Sequence, residues 1–153
     1  MKKNLKKLRE DIDKIDTKLL DLISKRALIA QEVGKLKNDG IIYRPEREAQ
    51  VLLRLLKNNK GPLSNESITN IFKSVISNCR ALEKKLSVSF LGPLGTFSEE
   101  ATIRQFGENI KTIPTDSIDE VFNHVQSGIV HYGVVPVENS TEGAISRTLD
   151  LLL

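Results

Sequence analysis

Residues 4–37, NLKKLREDIDKIDTKLLDLISKRALIAQEVGKLK, decide the fold of the first half of this chain. Apolar residues recur in steps of three and four along the stretch, a repeat of 3.5 residues sustained over about four heptads. This repeat predicts one long helix with an apolar seam, capped at Asn4 and ended by the NDG sequence at residues 38–40. The seam residues are Leu5, Leu8, Ile12, Ile15, Leu19, Leu22, Ile29, Val33 and Leu36.

The length of this helix predicts a second copy of the chain. A helix of about 34 residues is about 50 Å long, which is too long for a lone globule of roughly ninety residues. An apolar seam of that length needs a partner helix along it, so we expect a homodimer of long helices.

Composition narrows the class of protein. The chain has 153 residues, 39% hydrophobic and 28% charged, which allows one ordinary domain or two small ones. A single cysteine, Cys79, excludes an internal disulfide framework and a cysteine-rich zinc site. No apolar run is long enough to cross a membrane, and the basic N-terminus precedes no apolar signal core, so we expect a cytoplasmic protein.

Charge is divided unevenly between two segments. Residues 1–86 hold 20 Lys and Arg against 11 Asp and Glu, whereas residues 87–153 hold 3 against 9. Six of the nine glycines also lie in the second segment. We therefore expect two differently built domains, 1–86 and 87–153. The basic first domain suggests an anionic partner, which could be a nucleic acid, an anionic membrane or a small polyanionic metabolite.

Two further helices are expected in the first segment. Pro45 suits the first turn of a second helix, which residues 58–62, NNKGP, would end. Ser64 or Asn65 is a candidate cap of a third helix, which we expect to end near Leu86.

Polar residues interrupt the apolar stripes at three positions. Arg26 occupies a seam position, and Lys37 lies about 20° around the same helix and about 16 Å along it. Glu83 falls on the apolar stripe of the third helix. An anion pocket inside a helical bundle would explain all three. Each also has a structural explanation. Lys37 could be a solvated side chain of a long helix, Glu83 could be solvated near a helix end, and Arg26 could set a coiled-coil register.

Several spaced motifs of the first segment occur together: LREDIDKID at residues 8–16, LLDLISKR at 19–26, EVGKLK at 32–37, PERE at 45–48 and GPLS at 61–64. Together they resemble the all-helical chorismate mutases over essentially all of residues 4–86. The resemblance implies a three-helix chain that forms an intertwined dimer. It also implies conversion of chorismate to prephenate by a pericyclic rearrangement, with no cofactor and no metal.

The resemblance also assigns residues to the substrate. Arg9, Arg26 and Arg47 would bind the two carboxylates, with Arg9 reaching the site of the partner subunit. Seventeen residues place Arg9 and Arg26 about 260° apart around one helix, so a single helix cannot aim both at one ligand. A site shared across a dimer fits that geometry.

The remaining assignments concern the reacting part of the substrate. By the resemblance Lys37 and Glu83 would flank the ether oxygen and act with Arg26 in catalysis, and Glu48 would receive the substrate hydroxyl. Cys79 occupies a substrate-binding position that is serine in some members. From the residues alone, Glu48 and Arg47 could equally be surface charges. A pericyclic step needs no nucleophile, since holding the reactive conformer and stabilising developing charge are what accelerate it.

Strands alternate with helices in the second segment, which predicts a parallel α/β sheet. The expected strands are 87–91, 110–113 and 131–137, and the expected helices begin at Thr96 and cover 117–126 and 144–153.

Two turns in this segment, GPLGTFS at residues 92–98 and VPVENSTEGA at 135–144, could be ordinary strand-to-helix turns. Together they resemble the start of a prephenate dehydratase domain, which is similar to the two-lobed periplasmic binding proteins. Thr96, Ser98, Asn139 and Ser140 would then line a prephenate pocket. The order of the two resemblances is that of bifunctional enzymes of phenylalanine biosynthesis. We expect the chain to stop inside the first lobe, without the regulatory ACT domain, and to lack dehydratase activity by itself.

Two other classes of function compete with this interpretation. A basic helical module could bind nucleic acid, but the segment lacks interleaved aromatic residues and any recognisable nucleic-acid motif. A purely structural coiled-coil dimeriser would leave Arg26 in the seam unexplained.

Overall fold

The computed structural model describes residues 4–37, 41, 43–139 and 143–153. Helix α1 spans Leu5–Leu36, and the side chain of its N-cap, Asn4, accepts a hydrogen bond from the amide of Lys6 at 3.0 Å. The predicted long helix and its cap are therefore confirmed, whereas the predicted NDG stop lies outside the described residues. No residue of α1 is buried within the chain.

Two shorter helices complete the first segment. Helix α2 spans Pro45–Asn58 and begins at the expected proline. Helix α3 spans Asn65–Ala81, and the hydroxyl of Ser64 caps it by accepting from the amide of Ser67 at 3.1 Å. Helix α3 packs against both α1 and α2 and so forms the centre of the bundle.

The expected end of α3 near Leu86 was wrong, and so was the placement of Glu83 on that helix. Helix α3 ends at Ala81, and the amide of Glu83 closes a turn onto the carbonyl of Arg80 at 2.9 Å. No glycine or proline marks this end. Leu86 is only 2% exposed because it packs in a core with Val88 of the next strand, so the chain leaves the helix before reaching it.

The second segment is built on a parallel sheet, as predicted. Strand β1 pairs with β2 on one side and β3 on the other, both in parallel, giving the order β2-β1-β3. The elements are β1 (Ser87–Leu91), α4 (Phe97–Phe106), β2 (Lys111–Thr115), α5 (Ile118–Gln126) and β3 (Tyr132–Val134).

The two helices cover opposite faces of this sheet. Adjacent residues of a strand point to opposite faces. Val88 of β1 packs with Phe106 of α4, whereas Ser89 is hydrogen-bonded to His124 of α5. The sheet is therefore the middle layer of a three-layer α/β arrangement.

The C-terminal elements differ from the prediction. Strand β3 ends at Val134 rather than residue 137, because Pro136 has no amide to donate to a sheet. The following residues form a short antiparallel pair, β4 (Glu138–Asn139) with β5 (Gly143–Ala144). Helix α6, Ser146–Leu152, consequently begins later than the expected residue 144.

A shared core joins the two segments. Tyr43, in the connection between α1 and α2, packs in one cluster with Leu86, Val88 and Phe106. Its ring centroid lies 5.1 Å from that of Phe106, and its hydroxyl accepts from the Gln105 amide at 2.7 Å. Burial and the nearby negative charge of Glu48 raise the pKa of Tyr43 above its usual value, so this phenol stays neutral in the core. Within the described ranges, no helix is long and apolar enough to cross a bilayer.

Candidate active site

A cavity of about 390 Å³ opens between the three helices of the first segment. Its wall comes from the C-terminal half of α1, from α2 and from the end of α3. Six of the seven residues predicted for a substrate site line this cavity: Arg26, Lys37, Arg47, Glu48, Cys79 and Glu83.

The lining of the cavity is strongly cationic. Six lysine and arginine side chains contribute to it, against two glutamates. Arginine forks match carboxylates in geometry, and a cationic cavity favours a ligand that carries more than one negative charge. Among the residues that the structure describes, this lining holds no histidine, and no group of metal-ligating side chains was found anywhere.

Lys37 and Glu83 form an ion pair that joins α1 to the turn after α3. The Lys37 ammonium donates to Oε2 of Glu83 at 2.8 Å, with the two side chains 23% and 12% exposed. Lys37 is also the C-cap of α1, where its amide donates to the carbonyl of Val33 at 3.2 Å. The end of a long rigid helix therefore positions the ammonium beside the carboxylate.

Gly34 lets α1 approach Glu83 this closely. A β-carbon at Gly34 would lie 2.9 Å from Cγ and 3.0 Å from Cβ of Glu83.

Gly34→Ala is expected to displace Glu83 and so to lower by about tenfold the rate of a reaction catalysed in this cavity, since a misplacement of about 1 Å can cost up to about a hundredfold in rate. The same change favours the helix by up to about 1 kcal/mol, so thermal stability should fall little or rise. Steady-state kinetics and thermal unfolding of the same preparation check this. A Gly34→Ala variant that loses stability but keeps its activity would contradict the proposal that Gly34 positions Glu83 for the reaction.

Arg9 does not line the cavity of its own chain. It lies 28 residues before Lys37 on the same helix, which is about 42 Å away along the axis. Cys79 does line the cavity and is 5% exposed, although a thiol is a weaker hydrogen-bond partner than a hydroxyl.

Three cations of the lining were not assigned from the sequence: Arg44, Arg54 and Arg80. Arg44 is the N-cap residue of α2, where the helix dipole disfavours a positive charge, and this conflict is a signal that it serves another purpose. Arg80 follows buried Ile76 by four residues and so continues a buried stripe with a charge. Arg54, on the middle of α2, gave no comparable signal.

The residues predicted for a prephenate pocket lie elsewhere. Thr96 and Ser98 follow β1 and Asn139 follows β3, so they lie beyond the carboxyl ends of adjacent parallel strands. The Thr96 hydroxyl donates to the carbonyl of Pro93 at 3.0 Å. None of the three lines the helical cavity, and Ser140 lies outside the described residues.

Both histidines pair with serines of β1. Nδ1 of His124 lies 3.1 Å from the Ser89 hydroxyl and its Nε2 lies 3.8 Å from Glu120, an arrangement like a catalytic triad. Ser89, however, is 0% exposed and donates to the carbonyl of Ile113, so it cannot reach a substrate. His131 similarly lies 2.7 Å from the Ser87 hydroxyl. Both histidines therefore pack against the sheet.

These observations define a helical protein with a cationic pocket for a small polyanion, fused to an α/β segment. The chain belongs to the chorismate mutase type II family, whose model matches residues 8–84. A model of prephenate dehydratase matches residues 88–153.

Individual relatives agree with both matches. A bifunctional chorismate mutase/prephenate dehydratase from Stutzerimonas stutzeri is 50% identical over 156 residues, which cover 97% of this chain. The structure of chorismate mutase (form II) from Thermus thermophilus has a TM-score of 0.51 and 31% identity over 54% of this chain and 96% of that one. Chorismate mutase from Helicobacter pylori in complex with prephenate has a TM-score of 0.50 and 34% identity, covering 52% and 89%.

The curated relatives are longer than this chain. The match covers 43% of the relative from Stutzerimonas stutzeri and 43% of a relative from Pseudomonas aeruginosa. The chain therefore spans less than half the length of these relatives.

Proposed function

We propose that the first segment binds chorismate and converts it to prephenate by a pericyclic rearrangement, as part of phenylalanine biosynthesis in the cytoplasm. The observation that carries the proposal is a cavity lined by six cations and two carboxylates, which include the close Lys37–Glu83 pair. Family membership and the prephenate complex of the Helicobacter pylori relative support the same substrate class.

In the proposed mechanism the cavity acts by holding the substrate and by stabilising charge. Arg26 and Arg47 bind the two carboxylates and so fix a flexible dianion in a reactive conformer. Lys37 donates to the ether oxygen, where negative charge develops as the C–O bond breaks, and Glu83 holds the Lys37 ammonium beside that oxygen. Glu48 accepts the hydroxyl of the substrate. No proton transfer or covalent intermediate is needed.

A second copy of the chain is proposed to complete the site. The apolar seam of α1 is exposed in the single chain, with Leu5 at 61% and Leu36 at 79% exposure. Burial of such a seam along 32 residues favours pairing of two α1 helices. If they pair antiparallel about their middle, Arg9 of one copy lies level with residues 30–33 of the other, beside its cavity.

We propose that the chain divides into two domains, 1–86 and 87–153. The second is proposed to be the first lobe of a prephenate dehydratase of the periplasmic-binding-protein type. Thr96, Ser98, Asn139 and Ser140 would bind prephenate there. Ligands of parallel α/β sheets bind beyond the carboxyl ends of the strands, which is where the three described residues of this set lie.

The test of the proposed function is loss of chorismate absorbance in the presence of the purified chain, with prephenate identified as the product. We expect a rate far above the uncatalysed one and no effect of added duplex DNA. No catalysed loss of chorismate would refute the proposal, and tight DNA binding would favour the nucleic-acid module instead. A dimer without chorismate turnover would favour the structural dimeriser.

A further inference from the structure

Arg80 is a buried cation of α3 that connects the two segments. It is 6% exposed. Its Nη1 donates to Oε1 of Glu48 on α2, and its Nη2 donates to the backbone carbonyl of Phe106 at the end of α4. Its guanidinium carbon lies 4.8 Å from the centre of the Tyr43 ring. One side chain therefore contacts both the helical cavity and the α/β segment.

Both hydrogen-bond partners are ones that a buried guanidinium needs. Phe106 is the last residue of α4, and the last carbonyls of a helix lack internal partners and carry the negative end of its dipole. A buried guanidinium is costly unless it is paired and hydrogen-bonded on several sides. Displacement of either Glu48 or Phe106 would leave one terminal nitrogen of the Arg80 guanidinium without its hydrogen-bond acceptor.

A close contact beside this hydrogen bond keeps α4 against α3. A β-carbon on Gly107, which has a φ of 82°, would lie 2.2 Å from Oγ of Ser77 and 2.6 Å from its Cβ. The Ser77 hydroxyl also donates to the carbonyl of Phe106 at 3.3 Å. A residue with a side chain at position 107 would therefore force the end of α4 away from α3.

We propose that Arg80 is a positioning residue: held by the end of α4, it fixes the Glu48 carboxylate in the cavity, so that the second segment sets the affinity of the first for its substrate. This inference rests on the proposed function, in which Glu48 accepts the hydroxyl of chorismate. That hydroxyl takes no part in the bond rearrangement, so Glu48 binds the ground state and the transition state alike. Displacement of Glu48 then raises KM and leaves kcat nearly unchanged.

Two variants disturb Arg80 in different ways, and a third serves as the matched control. Arg80→Lys keeps the charge but lacks the fork that binds two partners at once. Gly107→Ala moves α4 and changes no residue of the cavity. Asn109→Ala removes a 3.4 Å contact to Asn78 at the exposed edge of the same interface, which does not reach Glu48.

We expect Arg80→Lys and Gly107→Ala each to raise KM for chorismate by about tenfold, with kcat changed by less than about threefold. Asn109→Ala should leave both constants unchanged. In a Glu48→Gln background both substitutions should raise KM by less, since the carboxylate that Arg80 positions is already absent. A fall in kcat at constant KM, or an undiminished effect in that background, would indicate a merely structural role and overturn the proposal.

Amide hydrogen exchange separates failure of this proposal from failure of the proposed function. Gly107→Ala should speed exchange in the peptide covering residues 45–58, compared with Asn109→Ala, whether or not the chain consumes chorismate. Faster exchange in a chain without mutase activity would refute the proposed function and support the link through Arg80. Unchanged exchange would overturn the link at any level of activity.

Discussion

Lys37→Ala is expected to lower kcat/KM for chorismate by about a thousandfold, because in the proposed mechanism it removes a preorganised donor from the atom that gains charge in the transition state. The ammonium is held by two features that a free lysine lacks. Lys37 is the C-cap residue of α1, and its ammonium lies 2.8 Å from the carboxylate of Glu83, whose side chain is 12% exposed. The substitution also leaves that carboxylate without its ammonium, so the thermal midpoint should fall as well.

Lys35→Ala is the matched control for this substitution. Lys35 lies two residues earlier on α1, carries the same charge and pairs with Glu32 at 2.7 Å, with both side chains largely exposed. An exposed pair of this kind contributes about 0–1 kcal/mol, and Lys35 does not line the cavity. Its loss should leave the rate within about twofold and the thermal midpoint nearly unchanged. Equal kinetic effects of the two substitutions would mean that net charge, rather than the placement of Lys37, governs activity.

The sequence was sufficient to predict elements whose signals are local. The 3.5-residue repeat predicts α1, Asn4 is its candidate cap, and Pro45 marks the start of α2. Ser64, the cap of α3 in the structure, is one of the two candidates that the sequence offers. The same repeat drew attention to Arg26 and Lys37, which line one cavity. Arg47, Glu48 and Cys79 came from the family resemblance, since periodicity alone left the first two as possible surface charges.

Features that depend on packing between distant residues were not predictable. The end of α3 at Ala81 follows from burial of Leu86 against the sheet, and no local breaker marks it. Tyr43 belongs to the core of the other segment, 43 residues before Leu86, and Arg80 pairs across 26 residues with the carbonyl of Phe106. A charge on a buried stripe hints at a partner but does not identify it.

The proposed site, shared between two copies of the chain, predicts complementation between two inactive variants. Arg9→Ala should lower kcat/KM by about a hundredfold, because Arg9 is proposed to pair with a desolvated carboxylate of the substrate, which the substitution would leave unpaired. In the proposed dimer, Arg9 comes from one copy and Lys37 from the other. A heterodimer of Arg9→Ala and Lys37→Ala chains therefore contains one site with both defects and one site with neither.

Equal amounts of the two variants, unfolded and refolded together, should recover about a quarter of the wild-type activity, since half the dimers are mixed and each has one intact site. The control mixture pairs Arg26→Ala with Lys37→Ala. These two residues line the cavity of a single chain, so each site of that heterodimer keeps one defect and no activity should return. Recovery in the control, or none with Arg9→Ala although mass measurements detect heterodimers, would contradict the shared site. Recovery confined to the Arg9→Ala mixture would place Arg9 in the cavity of the other copy, a contact that the 42 Å or so between Arg9 and Lys37 on one helix rules out within a single chain.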